Sequence, residues 1–376
     1  MTSATSKLPR LMKAQFLDAF KTPYNLRSVP LPTLTSPDNL LIKVDAASYC
    51  HTDAVLAEGL MLPNPPAFPH IGCHEFAGTI VCLLPTSNTS FRIGDRVGVP
   101  GRAFHPCGTC FECLDDKSPN SDPAGYSILC PSSHNNGLSR HGGFAEFAVV
   151  DARQVAPIPA SLSAVETAPL MCAGVTIYAA LKRCSLKPGQ RVGIIGCGGG
   201  LGHLGLQFAR KMGFKVIGCD SADGPLNLAR DLNTGATIVD VRLKEAHEIV
   251  KQLGAEDGIS DVRGESGLDA VIILPESQKA LDYGISLLKN HGNCVVVSFP
   301  DTGFHLSARD IVFRDISIVG SLVGSNKTLR EMLEFAAEHQ VRAIVKRFPL
   351  SDLNGLVDDY YLGRGGKLVI DMSLEN

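Results

Sequence analysis

The chain has 376 residues, of which 44% are hydrophobic and 19% are charged, and its formal net charge is −3. This length suits about two domains, and this composition is typical of a globular protein rather than a disordered one. There is no basic block and no long apolar run, which argues against nucleic-acid binding and against a membrane span. The N-terminus lacks the apolar core of a secretory signal, so we expect a cytoplasmic protein.

The first stretch rich in reactive side chains is "CHTD" at residues 50–53. Candidate partners follow it in the chain, since "GCHE" supplies His74 and Glu75 and the small-residue segment "APLMCAG" supplies Cys172. Two thiolates and one imidazole leave the fourth position of a tetrahedral zinc ion open, which a catalytic zinc site requires. A single buried Cys or His is more often structural, and we interpret Cys73 in this way.

Three cysteines at turn spacing come next in "CGTCFEC", where Cys107, Cys110 and Cys113 form the pattern C-x2-C-x2-C. In a chain without a secretory signal, this spacing indicates a metal site rather than disulfides. Cys130 follows a polar loop rich in Ser, Pro and Asp, and its thiol would complete a tetrahedral structural zinc site. The alternative is that these thiols are packed without a metal.

The segment 187–220 reads as a strand, a glycine loop, a helix at about 201–212 and a second strand. This order is typical of the βαβ unit that binds a dinucleotide pyrophosphate, although the loop is one residue longer than the G-x-G-x-x-G fingerprint. Asp220 ends the second strand, where a carboxylate accepts hydrogen bonds from ribose hydroxyls and repels a 2′-phosphate, so we expect NAD rather than NADP. The loop positions predicted to bind the coenzyme are Gly196, Gly199, Gly200, Leu201 and Gly202.

The rest of the chain alternates between strand-like and helical stretches. Strand-like runs recur at "DAVIIL", "NCVVVSF" and "ISIVGSL". This alternation indicates a parallel sheet. The last predicted helix, "NKTLREMLEFAAEH", is expected to pack back against the N-terminal part of the chain.

Taken together, these motifs resemble those of the zinc-dependent alcohol dehydrogenases of the medium-chain dehydrogenase/reductase superfamily, and they are most similar to the fungal branch. The matching stretches extend from residue 50 to residue 373 and include "GDRVGV", "HGGFAEFAVV" and "GKLVIDMS". The resemblance implies an α/β protein with a β-rich GroES-like catalytic domain at 1–160 and a C-terminal return at 322–376. A Rossmann NAD-binding domain with a doubly wound parallel sheet lies between them, at 161–321. The resemblance also implies a homodimer or homotetramer, for which the run "ISIVGSL" would supply the sheet edge.

The same resemblance implies how the reaction proceeds. It makes Cys50, His74 and Cys172 the ligands of a catalytic zinc, whose fourth ligand is the alcohol oxygen, and it implies two zinc ions per chain. Hydride is transferred between an alcohol, or its aldehyde or ketone, and NAD. Thr52 takes the alcohol proton and passes it through the nicotinamide ribose hydroxyl to His51, whose imidazole titrates near neutral pH and releases the proton to solvent.

Four further residues have supporting roles that the resemblance implies. Asp53 orients the zinc ligand His74, and Glu75 lies beside the zinc and approaches it during ligand exchange. Thr176 lies by the nicotinamide. Lys367 lies near the pyrophosphate, where many relatives carry Arg. Its contact is therefore made by a single ammonium charge rather than by the paired N–H donors of a guanidinium.

The chain contains no Trp, whereas fungal relatives that act on very short alcohols have a Trp over the zinc. Alignment from Cys50 gives Ala57 at that position, and Arg102 falls closest to the position of a second ring. We predict a roomier and more polar pocket, in which Arg102 offers a donor fork to a carboxylate, lactone or hydroxyl oxygen, and a substrate larger or more polar than ethanol. In the alternative, Arg102 is exposed, Phe104 fills the space in the substrate pocket, and the substrate is a simple short-chain primary alcohol.

Other functions stay open as alternatives. A zinc-free quinone or enoyl reductase of the same superfamily would lack the residue set at 50–53, 74 and 172, and a polyol dehydrogenase would usually carry a carboxylate in place of Cys172. Cinnamyl-type reductases usually favour NADPH, which Asp220 disfavours. The alternative of another class is a non-catalytic binding protein with the dehydrogenase fold, which a turnover assay with NAD and alcohols would distinguish from an enzyme.

Overall fold

The computed structural model describes residues 8–61, 67–101, 104–115, 126–259 and 264–374. The strands in these ranges are β1 (Leu11–Leu17), β2 (Tyr24–Pro30), β3 (Asn39–Tyr49), β4 (Glu75–Leu83), β5 (Arg96–Pro100), β6 (Phe147–Asp151), β7 (Ala156–Pro157), β8 (Arg191–Ile195), β9 (Lys215–Asp220), β10 (Thr237–Asp240), β11 (Leu268–Ile273), β12 (Leu288–Val296), β13 (Ser317–Gly320), β14 (Val345–Phe348) and β15 (Lys367–Asp371). The α-helices are α1 (His51–Ala57), α2 (Phe111–Leu114), α3 (Ala164–Thr167), α4 (Ala173–Arg183), α5 (Gly202–Lys211), α6 (Asp223–Asp231), α7 (Ala246–Glu256), α8 (Gln278–Leu287), α9 (Ala308–Arg314), α10 (Asn326–Glu338) and α11 (Leu353–Tyr361).

A six-stranded parallel sheet occupies the middle of the chain. Its strand order is β10-β9-β8-β11-β12-β13, and every neighbouring pair is parallel. The order reverses between β8 and β11, and ligands of doubly wound sheets bind at the carboxyl ends of strands at such a switch point. The doubly wound parallel sheet predicted from the sequence is therefore confirmed, and its crevice opens where β8 passes into the glycine loop.

The second large sheet is mixed and is built around β3. Its strand order is β14-β15-β3-β4-β5-β7, with β6 also paired to β3. β15 joins this sheet from near the C-terminus and runs antiparallel to β3, with Leu368 opposite Tyr49. This pairing brings the C-terminal segment beside the end of β3, which is where the "CHTD" stretch begins.

One hydrophobic core joins the two sheets. It contains Ala46 and Ala77 from the mixed sheet, Val192 from the parallel sheet and the buried face of α4 between them. All residues from 173 to 181 of α4 are buried. Because α4 begins directly after Cys172, this candidate ligand is held at the junction of the two sheets.

Among the described residues, no single helix is long and apolar enough to cross a membrane. The two helical segments Ala164–Met171 and Ala173–Arg183 together have the length and apolar composition of a membrane span, but they meet at a bend of 51°. The second member of this pair is α4, which lies in the core described above.

The C-terminal part differs from the sequence prediction in one respect. The predicted last helix is α10, and Asn326 at its start donates a hydrogen bond to Gln154 Oε1 (2.6 Å), so the helix does contact the N-terminal part. A further helix, α11, follows it, and the prediction that α10 is the last helix is wrong. Leu353 and Leu356 of α11 are buried, but adjacent acidic and tyrosine residues weaken the apolar periodicity of this short segment.

Candidate active site

Three segments that are far apart in the chain meet at the junction of the two sheets. Cys50 precedes α1 directly after β3, His74 directly precedes β4, and Cys172 precedes α4. Their potential ligand atoms all lie within 4.8 Å of one another. The structure therefore brings together the two thiols and the imidazole that the sequence indicates as ligands of one tetrahedral ion.

A buried carboxylate, that of Asp53, organises this cluster. The residue is 0% exposed. Its Oδ2 accepts the backbone N–H of Cys50 (3.0 Å), while Oδ1 accepts the backbone N–H of Cys73 (3.2 Å) and lies 3.2 Å from His74 Nδ1. Because a carboxylate only accepts, His74 donates through Nδ1, and Nε2 is the nitrogen left to bind a metal ion once the imidazole is neutral.

The Nε2 atom of His74 is buried and has no hydrogen-bond partner among the described residues. A buried polar atom without a partner costs about 1–3 kcal/mol. This atom lies within reach of the thiols of Cys50 and Cys172. Two thiols and an imidazole nitrogen held by a carboxylate are a donor set that fits zinc.

Electrostatics favour a thiolate at Cys50. Its pKa lies well below the ordinary value, chiefly because of its hydrogen bond with Cys172, and the charge of Lys367 adds to this effect while burial opposes it. The same hydrogen bond, together with burial, raises the pKa of Cys172. Burial of His74 opposes a positive charge, but the charges and hydrogen bonds of Asp53 and Cys50 together outweigh it and raise the pKa of the imidazole. Because metal ligands must be deprotonated, a metal ion bound here would displace the protons held by Cys172 and His74.

Cys107, Cys110, Cys113 and Cys130 form a second cluster, with all four Sγ atoms within 4.8 Å of one another. Cys130 Sγ lies 3.7 Å from Cys107 Sγ and 3.9 Å from Cys110 Sγ. Backbone N–H groups of Thr109 and Cys110 donate to Cys107 Sγ, and these bonds, that of Thr109 first, lower the pKa of Cys107 to about 6. Four converging thiols of this kind suit a closed tetrahedral zinc site.

The glycine loop between β8 and α5 is tightly packed on one side and open on the other. A Cβ on Gly202 would lie 2.1 Å from the carbonyl oxygen of Gly196, so the start of α5 requires glycine. A Cβ on Gly199 would come no closer than 3.5 Å to its nearest neighbour, the carbonyl oxygen of Gly196, which leaves its backbone accessible to a ligand. Asp220, at the end of β9, accepts the backbone N–H of Gly198 through Oδ2 (3.0 Å). Loop, helix start and carboxylate therefore line one crevice, as a dinucleotide site requires.

Sequence reasoning does not single out His203, which follows the first residue of α5. Its ring is buried, and because the backbone N–H of Ile344 donates to Nε2 (3.1 Å), Nδ1 carries the proton and donates to the carbonyl oxygen of Gly199 (2.9 Å). Burial lowers the pKa of His203 to about 4. This neutral histidine ties the glycine loop to the C-terminal segment that returns to the mixed sheet. A histidine at the start of an apolar helix was the available signal, but nothing in the sequence indicates its distant partner.

Thr52 and His51 lie at the start of α1 and face different surroundings. Thr52 Oγ1 lies 3.9 Å from Cys50 Sγ, next to the candidate metal ligands. The side chain of His51 is 57% exposed, with Nδ1 2.8 Å from the Tyr360 hydroxyl and Nε2 3.5 Å from Glu276 Oε1. Because Glu276 follows β11 of the parallel sheet, His51 reaches across the crevice between the two sheets. The sequence did not indicate the contacts with Tyr360 and Glu276.

Three further predicted site residues line the interior of this junction. Thr176, in the first turn of α4, is 5% exposed, and its hydroxyl has no partner among the described residues. Glu75, the first residue of β4, is fully buried. The stem of Lys367 runs past Gly200 of the glycine loop, but its ammonium group contacts Glu75 and the carbonyl oxygen of Tyr49 (2.8 Å). A contact between Lys367 and the pyrophosphate stays a prediction.

The residues predicted for the substrate pocket are described only in part. Ala57 ends α1 and packs against the core of the mixed sheet, and its carbonyl oxygen accepts the backbone N–H of Lys21 (2.8 Å). Arg102 lies outside the described residues. Phe104 is buried, with the guanidinium of Arg140 4.0 Å from the centre of its ring. The size of the pocket and the role of Ala57 stay predictions.

Comparison with known proteins relates both halves of the chain to families. Residues 36–160 match the model of the alcohol dehydrogenase GroES-like domain, and residues 200–338 match the model of the zinc-binding dehydrogenases. The chain is 36% identical over 362 residues to an alcohol dehydrogenase of Geobacillus stearothermophilus, with 96% of this chain and 99% of that one covered. It is 31% identical over 367 residues to alcohol dehydrogenase 1 of Emericella nidulans, with 97% and 99% covered.

A solved structure agrees with these relationships. The crystal structure of the alcohol dehydrogenase from the hyperthermophilic archaeon Aeropyrum pernix matches with a TM-score of 0.79 at 29% sequence identity. The match covers 96% of this chain and 99% of that one. The two chains therefore share their fold along almost the whole length.

Proposed function

Because this chain belongs to the zinc-binding alcohol dehydrogenases, we propose that it transfers hydride between an alcohol, or its aldehyde or ketone, and NAD. The observation that carries the proposal is the buried Nε2 of His74, which has no hydrogen-bond partner among the described residues and lies within reach of Cys50 and Cys172. Zinc held by these side chains would supply a positive charge that stabilises the deprotonated alcohol. A second zinc, held by the four clustered cysteines, would have a structural role.

The proton of the alcohol is handled, in this proposal, by side chains at the start of α1. The Thr52 hydroxyl, 3.9 Å from Cys50 Sγ, would accept the alcohol proton at Oγ1 while passing its own hydroxyl proton on toward His51. His51 releases the proton to solvent, which the exposure of its side chain supports. Asp53 holds His74 so that Nε2 faces the thiols. Glu75 lies beside the ligands, and its approach to the metal during ligand exchange would require it to leave its bonds to Ser48 and Ala173.

The coenzyme is proposed to be NAD, held by the glycine loop and Asp220. The accessible backbone at Gly199 and the start of α5 suit a pyrophosphate, because helix N-termini favour anions. Asp220 Oδ1 and Oδ2 already accept backbone N–H groups from Ser221 and Gly198, which fixes the carboxylate at the end of β9. A fixed carboxylate there suits two ribose hydroxyls and disfavours a 2′-phosphate.

The substrate is proposed to be larger or more polar than ethanol. The support comes from the sequence, since the chain has no Trp and carries Ala57 at the position aligned with a ring of short-alcohol enzymes. A simple short-chain primary alcohol is the alternative substrate. A non-catalytic binding protein is the alternative of another class, and it would show no turnover with NAD and any alcohol.

The chain is proposed to act as a homo-oligomer that pairs along β13. Among the described residues, β13 is bonded only to β12, so its other edge carries free backbone groups. The neighbouring helix α9 buries none of its residues, and Val312 and Phe313 are 71% and 80% exposed. An unpaired edge beside exposed apolar side chains suits a two-fold pairing of identical chains.

Zinc content tests the two metal sites separately. We expect the intact chain to hold two zinc ions by elemental analysis. Cys172→Ser should remove one ion, leave the fold intact and lower kcat by about a thousandfold or more, because several kcal/mol of charge stabilisation is lost. Cys110→Ser should instead lower Tm by at least about 5 °C, since structural zinc contributes folding free energy. A single zinc in the intact protein would overturn the assignment.

Coenzyme choice tests Asp220. We expect kcat/KM to be higher with NAD than with NADP, and Asp220→Ser to reduce this preference about 10- to 100-fold, the value of a lost charge-assisted hydrogen bond. Asp223→Ser is the matched control, because Asp223 is a nearby carboxylate whose side chain is 79% exposed and pairs with Arg242. Faster turnover of the wild type with NADP at equal low concentrations would contradict the role of Asp220.

Substrate size is tested with ethanol, butanol, hexanol, benzyl alcohol and a hydroxyl-bearing cyclic compound. We expect kcat/KM to rise about fourfold for each added methylene that is buried, given about 0.8 kcal/mol per group. Ala57→Trp should reverse the ranking toward ethanol, and the Tm of the variant separates a pocket effect from unfolding. The pocket proposal fails if ethanol is the best substrate of the wild type or if the variant ranks the alcohols as the wild type does.

Assembly is tested by light scattering after size exclusion. We expect a dimer or tetramer, and Phe313→Lys should shift it toward the monomer because a charge is placed in an apolar contact. Leu243→Lys is the control, since Leu243 is equally apolar and 83% exposed but lies away from β13 in the chain. A monomeric wild type, or equal effects of both variants, would rule out pairing along this edge.

A further inference from the structure

Lys367 is a buried cation whose charge is directed away from solvent. The residue is 5% exposed and begins β15. Its ammonium group donates to the carbonyl oxygen of Tyr49 (2.8 Å) and to Glu75 Oε1. Two of its three N–H donors are therefore committed inside the protein, next to the candidate metal ligands.

Glu75, the partner of this cation, is bonded to two further segments. Its Oε1 also accepts the hydroxyl of Ser48 (2.8 Å), and its Oε2 accepts the backbone N–H of Ala173 (3.3 Å). The residue is 0% exposed, so water does not replace these bonds. The carboxylate thus joins the end of β3 to the start of α4.

The Lys367–Glu75 pair touches the chain beside every candidate ligand. Tyr49, which accepts from Lys367, directly precedes Cys50. Ala173, which donates to Glu75, directly follows Cys172. Glu75 itself directly follows His74. One ion pair is therefore one residue away from each of the three ligands, although these ligands come from segments that are distant in sequence.

A purely structural ion pair is the alternative explanation. Burying two charges costs several kcal/mol per ion before pairing, and an apolar pair of similar volume is often equally stable. This pair is bonded to the residues next to Cys50 and Cys172 and includes the residue next to His74, a placement that filling space does not require. The geometry around the ligands therefore calls for a role beyond filling space.

We propose that Lys367 is a positioning residue for the catalytic metal, and that through Glu75 and Tyr49 it holds the three ligand segments at the spacing a single ion needs. The inference rests on the proposed function, because it presupposes zinc at the Cys50, His74 and Cys172 cluster. It assigns the ammonium group to the ligand segments rather than to the coenzyme. Partners that orient metal ligands commonly change metal affinity 10- to 100-fold when they are removed.

The experiment measures zinc release from the intact protein into a chromogenic chelator. Lys367→Met should accelerate the release of one zinc about 10- to 100-fold and leave the other unchanged. Cys172→Ser, which lacks the catalytic zinc, identifies which phase belongs to which site. In the Lys367→Met variant loaded with Co²⁺ alone, the thiolate charge-transfer band of the catalytic site should shift or weaken relative to the wild type. Lys367→Arg, which keeps the charge and the donors, should restore release close to the wild-type rate.

Lys346→Met is the matched control. Lys346 lies on the neighbouring strand β14 and pairs with Asp359 (2.8 Å), but its side chain is 53% exposed. The same substitution there should leave both release phases and the Co²⁺ spectrum unchanged. If Lys367→Met does not fold, Ser48→Ala is used instead. It removes one hydrogen bond to Glu75 without removing a charge, and it should accelerate the release of the same zinc ion several-fold.

Two results overturn the proposal in different ways. If the wild type holds two zinc ions and turns over alcohol, but Lys367→Met and Ser48→Ala both release zinc as the wild type does, Lys367 does not position the ligands. In that case, a raised KM for NAD in Lys367→Met would assign the ammonium group to the coenzyme. If the wild type holds no zinc that Cys172→Ser removes, the proposed function itself fails.

Discussion

The carboxylate of Asp53 fixes the geometry on which the candidate active site depends. From within α1 it binds the backbone of Cys50, the backbone of Cys73 and the imidazole of His74, so that one buried group joins the end of β3 to the start of β4. An ionised group at 0% exposure is tolerated only when its hydrogen bonds are made, and here three donors make them. Because Nδ1 of His74 is bonded to Asp53, Nε2 faces the thiols. A bound cation would stabilise this arrangement of ligand atoms.

The same junction depends on contacts made by the end of the chain. β15 pairs with β3 and brings Lys367 behind the ligand segments. The backbone N–H of Ile344 donates to His203, which ties the glycine loop to the same C-terminal return. The candidate metal-ligand cluster and the crevice proposed for the coenzyme thus share the C-terminal return as a common support. A change in this return would affect both places, although no candidate metal ligand comes from it.

The sequence was sufficient for the features that are local in the chain. Strand β9 matches the predicted segment, α5 lies within its predicted range, and the parallel sheet follows from alternation of strands and helices. The four cysteines from Cys107 to Cys130 converge, as their spacing indicates. The two-domain fold of the alcohol dehydrogenase GroES-like and zinc-binding dehydrogenase families follows from motifs distributed along the chain.

What the sequence did not indicate are contacts between residues that are far apart in the chain. The bonds of Lys367 to Tyr49 and Glu75, of His203 to Ile344, and of His51 to Tyr360 each join segments that only the tertiary fold brings together. A lysine at the start of a strand reads as a surface residue, because burial of its charge requires partners that no local pattern shows. The helix α11 was missed for a related reason, since its burial depends on the core beneath it.

Diffraction from crystals of the zinc-loaded protein, recorded on both sides of the zinc absorption edge, tests the central claim most directly. The account predicts two anomalous peaks per chain, one among Cys50, His74 and Cys172, with Nε2 as the histidine ligand, and one among the four cysteines. A chain with no peak at the first cluster, or with His74 bound through Nδ1 and released from Asp53, would contradict the account.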